Sequence, residues 1–326
     1  MRAVVITRPG PPDVLEIRDR PRPEPGPGQI RVRVRTSALN RADLLQRRGR
    51  YPPPTGAPAD VAGLEYAGEV DALGPGAGLW AVGSRVMGIV GGGGHAEYLC
   101  VHEREAMRVP HSLSWEEAGA VPEAFLTAYD ALFRQLDIQM GDRLLIHAVG
   151  SGVGTAAIQL ARAASVRTIG TSRTGSKLRR ALELGLDHAV DAADGEWRER
   201  VEAATEGVGV SAVLDLVGGG YLEDNLKVLA TRGRLIVVGT MAGASAPLDM
   251  GLLLRKRLTI IGTVLRSRPV EEKIALAREF SDSVLPLLAS GRIGPVVDHV
   301  YPFEEVAAAH GRMEGNDSFG KIVLTW

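Results

Sequence analysis

Short runs in which apolar and polar residues alternate, or β-branched residues gather, fill the first third of the chain: residues 2–7, 29–37, 69–73, 85–89 and 97–101. Pro/Gly clusters at 9–12, 21–28, 52–56, 74–78 and 91–94 separate them. Short strands with such frequent turn signals predict a small all-β barrel or sandwich. One short helix is expected inside it, over residues 40–48, with Ala42, Leu44 and Leu45 on its apolar face. From Ser114 the period changes. Ser114 and Glu117 stand in capping-box spacing, which predicts helices over 114–120 and 125–136. Beyond Asp142 strands and helices alternate: strands at 143–149, 167–171, 188–190, 212–216, 234–238 and 258–263, with helices at 153–164, 176–184, 196–205 and 221–229. These strands are near-continuous apolar runs, as in a parallel sheet buried on both faces. The fold class is therefore α/β, with a doubly wound parallel-sheet domain next to a β-rich one. A helix over 270–289, bent or ended by Pro286, precedes a final strand, helix and strand at 296–301, 303–313 and 321–326.

Composition narrows the function classes. The 326 residues include 38 Lys+Arg and 39 Asp+Glu, for a formal net charge of −1, with 45% hydrophobic and 24% charged residues. Near-neutrality argues against a chain built to hold nucleic acid. Arg31, Arg33 and Arg35 alternate with Val32 and Val34 and read as the solvent face of an amphipathic strand. The single cysteine, Cys100, excludes an internal disulfide and any zinc site of several thiolates. The apolar run at residues 3–6 is too short for a signal segment or a membrane span. A cytoplasmic protein with no membrane partner is expected. The 40 glycines and 19 prolines are scattered through apolar stretches, which points to turns and close backbone approaches rather than a linker.

The most informative segment is RLLIHAVGSGVGTAAIQLARAA, residues 143–164. An apolar strand runs into Gly150, Ser151, Gly152, Val153 and Gly154, then into an Ala-rich helix. Glycines there allow a tight turn and close approach to a pyrophosphate, and the helix N-terminus offers free N–H groups and its positive dipole end. The segment predicts a dinucleotide site. In folds that prefer NAD an acidic residue about 20 positions on bonds the ribose 2′-hydroxyl. Here the second strand ends in Thr171, Ser172 and Arg173, with Lys177 nearby and no carboxylate. A hydroxyl and two cations suit a 2′-phosphate, so the expected cofactor is NADPH.

At this point the chain resembles the zinc-free quinone oxidoreductase branch of the medium-chain dehydrogenase/reductase superfamily. The resemblance runs along the whole chain, through NRADL (40–44), GLEYAG (63–68), GGGGHAEY (91–98), EAFLTAY (123–129), HAVGSGVG (147–154) and GKIVL (320–324). Ser151 and the run Leu265, Arg266, Ser267, Arg268 look most like the tumour-suppressor-induced NADPH quinone oxidoreductases and their bacterial relatives. The resemblance implies a GroES-like domain from both chain ends (1–122 and 268–326) and a Rossmann domain between (123–267). It also implies a homodimer formed through the strand at 258–263. Asn40 and Tyr51 match positions beside the nicotinamide. Thr127, Gly152, Val153, Ser172, Lys177, Gly239, Leu265 and Ser267 match further cofactor contacts; Ser151 is a candidate to hydrogen-bond the pyrophosphate or the cofactor amide, and Arg173 joins them on its charge. One departure weighs against the 2′-phosphate: the close relatives carry a tyrosine where this chain has Ala192.

Zinc enzymes of the superfamily carry a cysteine at the position of Asn40 and a histidine at that of Leu64. Neither side chain here supplies that ligand, and Glu65 alone makes no tetrahedral site. No metal is expected. Without a Lewis acid on a carbonyl, the expected reaction is hydride transfer from NADPH to a quinone or similar electron-poor acceptor. Reduction of α,β-unsaturated carbonyls by an enoyl or enone reductase is the alternative. Tyr51, in a Pro/Gly-rich loop, is the candidate proton donor, and Asn40 the second candidate catalytic residue.

Overall fold

The computed structural model describes residues 1–326. It divides into two units, one of Met1–Leu126 with Leu265–Trp326, the other of Thr127–Val264. These boundaries move the expected ones by three or four residues. One consequence is that Glu123, placed with the Rossmann domain on sequence, belongs to the first unit, where its backbone N–H is tied to Glu65.

The first unit is built on the strand Gln29–Ala38, which pairs antiparallel with Glu65–Leu73 on one side. Its other side is shared. Residues Gln29 to Arg33 take Tyr98–His102, and Thr36 to Ala38 take the C-terminal strand Lys321–Thr325. The full order is Val297–Pro302, Lys321–Thr325, Gln29–Ala38, Glu65–Leu73, Arg85–Ile89, Met107–Arg108. Ile30, Val32, Val34, Tyr66, Val70 and Val86 form one core; Val4, Leu39, Leu44, Phe303, Ile322 and Leu324 form another. The strand beginning at Glu65 starts four residues earlier than the pattern predicts. Gly68 interrupts the sequence signal, yet it belongs in the strand because a Cβ there would sit 2.2 Å from the Arg33 carbonyl oxygen. The strand Leu15–Asp19, with only Leu15 and Ile17 apolar, was not expected. It pairs with Arg2–Ile6. Of the three alternating arginines, Arg31 is buried against Asp71 and Glu24 and Arg35 pairs with Glu69, which leaves Arg33 alone exposed.

The second unit is a six-stranded parallel sheet in the order His188–Asp191, Arg167–Ser172, Arg143–Ile146, Val210–Asp215, Leu229–Val237, Thr259–Gly262. Strand order reverses between Arg143–Ile146 and Val210–Asp215, the point at which such sheets bind ligands beyond their carboxyl ends. The edge strand Thr259–Gly262 is largely exposed. The helix Met250–Lys256 was not anticipated. The helical stretch expected over 125–136 starts earlier, at Pro122, and changes at Tyr129 into a π-helical segment, Asp130–Gln135. In the first unit, the helix expected over 270–289 breaks at Val284 into Val270–Ser283 and Leu285–Ala289. Pro286 lacks an N–H and crowds the carbonyl four residues back, so the break falls just ahead of it. No helix is long and apolar enough to cross a membrane.

Candidate functional site

Each unit holds its own constellation. In the first, Asn40 ends the central strand's run-out and precedes the helix Arg41–Arg47. Asp43 fixes that corner: one carboxylate oxygen accepts the Asn40 N–H at 2.8 Å, the other the Gly63 N–H at 2.9 Å. The Asn40 amide is thereby turned toward Glu65 and Lys321. Its Oδ1 accepts from Lys321 Nζ at 2.6 Å, and its Nδ2 donates to Glu65 Oε1 at 2.8 Å and to the Ala38 carbonyl at 3.3 Å. Lys321 Nζ also donates to Glu65 Oε1 at 2.6 Å and to the Leu39 carbonyl at 3.0 Å. Glu65 Oε2 accepts the Glu123 N–H at 2.8 Å. Glu65 and Lys321 are both buried. A buried ion pair persists only when its remaining donors and acceptors are met, and here every one is.

Tyr51 lies beside this network on its Pro/Gly-rich loop. Its ring faces the Arg266 guanidinium, 4.9 Å from the ring centroid. Arg266 in turn donates to the Gly91 carbonyl at 2.7 Å, to the Tyr51 carbonyl at 3.4 Å and to Gln46. Burial pushes the Tyr51 phenol up from its ordinary value, with Arg266 opposing and Glu123 reinforcing. The phenol therefore carries its proton at neutral pH. Burial and then the carboxylate of Glu65 push the Glu123 carboxyl up to about 8, against the pull of Lys321. Leu265 is buried and Ser267 exposed, and both belong to this unit rather than to the dinucleotide fold.

In the second unit Ser151 caps the helix Gly152–Ala163, its hydroxyl accepting from the Gly154 N–H at 3.0 Å. A first helical turn has no intrahelical acceptors for its N–H groups, so those of Gly152 and Val153 stay open to an anion. The turn is tight. Ala148 sits at φ +51°, and a Cβ on Gly154 would lie 2.7 Å from the Ala148 carbonyl oxygen. Ser172 ends the second strand, its hydroxyl accepting from Thr174 N–H at 3.2 Å. Next to it Arg173 is exposed and has no ion-pair partner. Lys177 is half-buried, Thr127 is buried in the helix Pro122–Tyr129, and Ala192 is buried. Gly239 packs its backbone against Leu216, where a Cβ would meet the carbonyl oxygen at 2.6 Å.

The strand ends at the switch point are locked by a buried chain that sequence reasoning did not assemble. Asp215 Oδ1 accepts the N–H groups of Val217 at 2.8 Å and Gly218 at 2.9 Å, and Oδ2 accepts from Asn225 Nδ2 at 3.0 Å. His147 bridges Asn225 Oδ1 at 2.7 Å and Thr171 Oγ1 at 2.8 Å. Burial lowers the His147 pKa, with Asp215 opposing, so the ring is neutral and structural.

A family model described as "Zinc-binding dehydrogenase" matches residues 152–282, and one described as "Alcohol dehydrogenase GroES-like domain" matches residues 26–111. The chain is 32% identical to a quinone oxidoreductase of Pseudomonas aeruginosa, over 97% of this chain and 96% of that one. It is 35% identical, over 88% of its length, to a mycocerosic acid synthase-like polyketide synthase of Mycobacterium tuberculosis, but spans only 14% of that protein. Among solved structures, Escherichia coli quinone oxidoreductase complexed with NADPH superposes with a TM-score of 0.91 at 28% identity, each chain covered completely. The CurK enoyl reductase superposes with a TM-score of 0.88 at 26% identity, covering 99% of this chain and 98% of that one.

The zinc in the first description does not fit these residues. No group of three or more His, Cys, Asp or Glu side chains is placed to hold a metal ion. The Lys321 ammonium, itself a cation, already occupies the oxygens of Asn40 and Glu65. A dinucleotide does fit, on the open N–H groups behind Ser151 and the unpaired Arg173.

Proposed function

The chain belongs to the quinone oxidoreductase-like branch of the medium-chain dehydrogenase/reductase superfamily, and from that premise we propose that it reduces quinones or similar electron-poor acceptors with NADPH, without zinc. That it is an NAD(P)-dependent oxidoreductase follows from the family. Ser151 and residues 265–268 favour the tumour-suppressor-induced subgroup within it. The observation that carries the choice of acceptor is the Lys321, Asn40 and Glu65 cluster. A core closed by a lysine and its acceptors offers no metal Lewis acid to an isolated carbonyl, which favours an acceptor that is already a good hydride sink. When bound, NADPH supplies the hydride. The protein supplies binding, alignment and exclusion of water.

Gly152 and Val153 would hold the pyrophosphate through backbone N–H groups. Ser172, Arg173 and Lys177 would hold the 2′-phosphate. With Ala192 in place of a phenol, Arg173 carries more of that recognition. Arg173→Ala is expected to raise KM for NADPH about tenfold, the loss of roughly 1.4 kcal/mol of charge-assisted bonding, while KM for NADH stays level. Steady-state kinetics with both cofactors checks this; an equal change for both would detach Arg173 from the phosphate.

A second reading is reduction of α,β-unsaturated carbonyls. The likeness to CurK enoyl reductase and the match inside the polyketide synthases support it. Turnover of 9,10-phenanthrenequinone against 2-cyclohexen-1-one, at equal NADPH, decides between the two. Higher kcat/KM for the quinone supports the first reading, and the reverse ratio replaces it with the second.

A further inference from the structure

In the first unit's network most polar capacity is spent. Lys321 donates to three acceptors, and the two N–H bonds of the Asn40 amide are both used. Glu65 accepts on both oxygens. Asn40 therefore has no N–H left for an acceptor molecule. Two groups stand apart. The Tyr51 hydroxyl has no hydrogen-bond partner. Glu123 is anchored through its backbone N–H on Glu65 Oε2, is only partly buried, and its carboxyl takes no hydrogen bond or ion pair. A half-buried carboxyl without a hydrogen-bond or ion-pair partner, near the carboxylates of Glu65 and Asp43, is disfavoured as an anion, although Lys321 and Arg266 oppose that effect.

Resting on the NADPH-dependent reading above, we propose that Glu123 is the proton donor of this site, delivering the proton that neutralises the reduced acceptor. The acceptor gains a hydride, two electrons and one hydrogen, from the reduced nicotinamide and becomes an oxyanion. The Glu123 O–H bond breaks as a new O–H or C–H bond forms on the acceptor, and the electron pair stays on the carboxylate. Water then returns a proton to Glu123. The sum is acceptor plus NADPH plus one proton, giving reduced acceptor and NADP⁺.

The charges around Glu123 suit this role. Burial and the carboxylates of Glu65 and Asp43 hold its proton on, while Lys321 and Arg266 pull the other way. Tyr51, neutral at working pH, adds no charge. Its place in the first turn of Pro122–Tyr129 also favours the anion. The acid is thus poised close to neutral pH, where a general acid works best. Tyr51 is left as a wall of the site stacked on Arg266.

The test compares wild type, Glu123→Gln, Glu123→Asp and Tyr51→Phe. Turnover is measured from pH 6 to 10 on 2-cyclohexen-1-one and 9,10-phenanthrenequinone, and NADPH affinity by fluorescence. For wild type, kcat is expected to fall as pH rises through about 8. Glu123→Gln is expected to lose about 100-fold in kcat on the enone, the usual range for a general acid, and to lose the pH break. Its NADPH affinity should stay within about twofold of wild type. The Asp variant should recover part of the rate and the break. A readout free of turnover is the infrared carbonyl band of a protonated carboxyl in the cofactor-free protein. That band should be present at pH 7, fade as pH rises through about 8, and be missing in Glu123→Gln. If Glu123→Gln does not fold, the wild-type band and the Asp variant decide. Wild-type kcat and pH break in Glu123→Gln, their loss in Tyr51→Phe alone, or no band at pH 7 would each overturn the role of Glu123. Wild type that binds NADPH yet reduces neither acceptor would instead overturn the underlying function, and this role with it.

Discussion

Lys321→Met is expected to destabilise the first unit by about 3–5 kcal/mol, the usual cost of removing one partner from a buried ion pair. The methionine keeps the length and apolar stem but strands the Glu65 carboxylate, which is fully buried. Glu65 would retain only the Asn40 amide and the Glu123 N–H. The Asn40 carbonyl oxygen loses its donor as well. Adding Glu65→Gln to Lys321→Met should recover much of the loss, because no buried charge is then left unpaired. Urea unfolding followed by tryptophan fluorescence measures both. A single-variant loss below about 1 kcal/mol, the level of an exposed pair, would mean that the three side chains do not act as one buried network.

Asp215→Ala is the counterpart in the second unit. Three donors lose their acceptor at once: the N–H groups of Val217 and Gly218 and the Asn225 amide. Buried donors left unsatisfied cost about 1–3 kcal/mol each, so a loss of about 3 kcal/mol or more is expected. The effect should reach the cofactor, since the strand Val210–Asp215 borders the switch point and its following loop packs against Gly239. Thermal unfolding and NADPH titration read the two consequences. Unchanged Tm with unchanged affinity would show that the Asp215, Asn225 and His147 chain does not hold the turn.

What the sequence reveals here depends on how local the signal is. The glycine turn is legible because strand, Gly150–Gly154 segment and helix lie within about 20 residues, and each residue type has a local reason to be there. The capping box of Ser114 and Glu117 is legible for the same cause, and the structure shows both of its hydrogen bonds. The Lys321 and Glu65 pair is not, because 256 residues separate its members and nothing in either segment requires the other. Glu65 stands out on sequence only as a left-over carboxylate where metal ligands are missing. Its partner is revealed when the C-terminal strand docks on Thr36 to Ala38. Glu123 is hidden differently. It lies at the start of the helix Pro122–Tyr129, and its N–H is bonded to Glu65, 58 residues earlier in the chain, a link that no local pattern announces. The arginines of the central strand give the opposite lesson. A clean alternation predicts one solvent face, but register shifts along that strand bury Arg31 against Asp71.

The most direct test of zinc-free NADPH-dependent reduction is loss of reduced-nicotinamide absorbance with an ortho-quinone, using protein exhaustively treated with a strong chelator. Turnover unchanged by the chelator and a higher kcat/KM for NADPH than for NADH are expected. Activity abolished by the chelator and restored by added zinc would contradict zinc-free reduction.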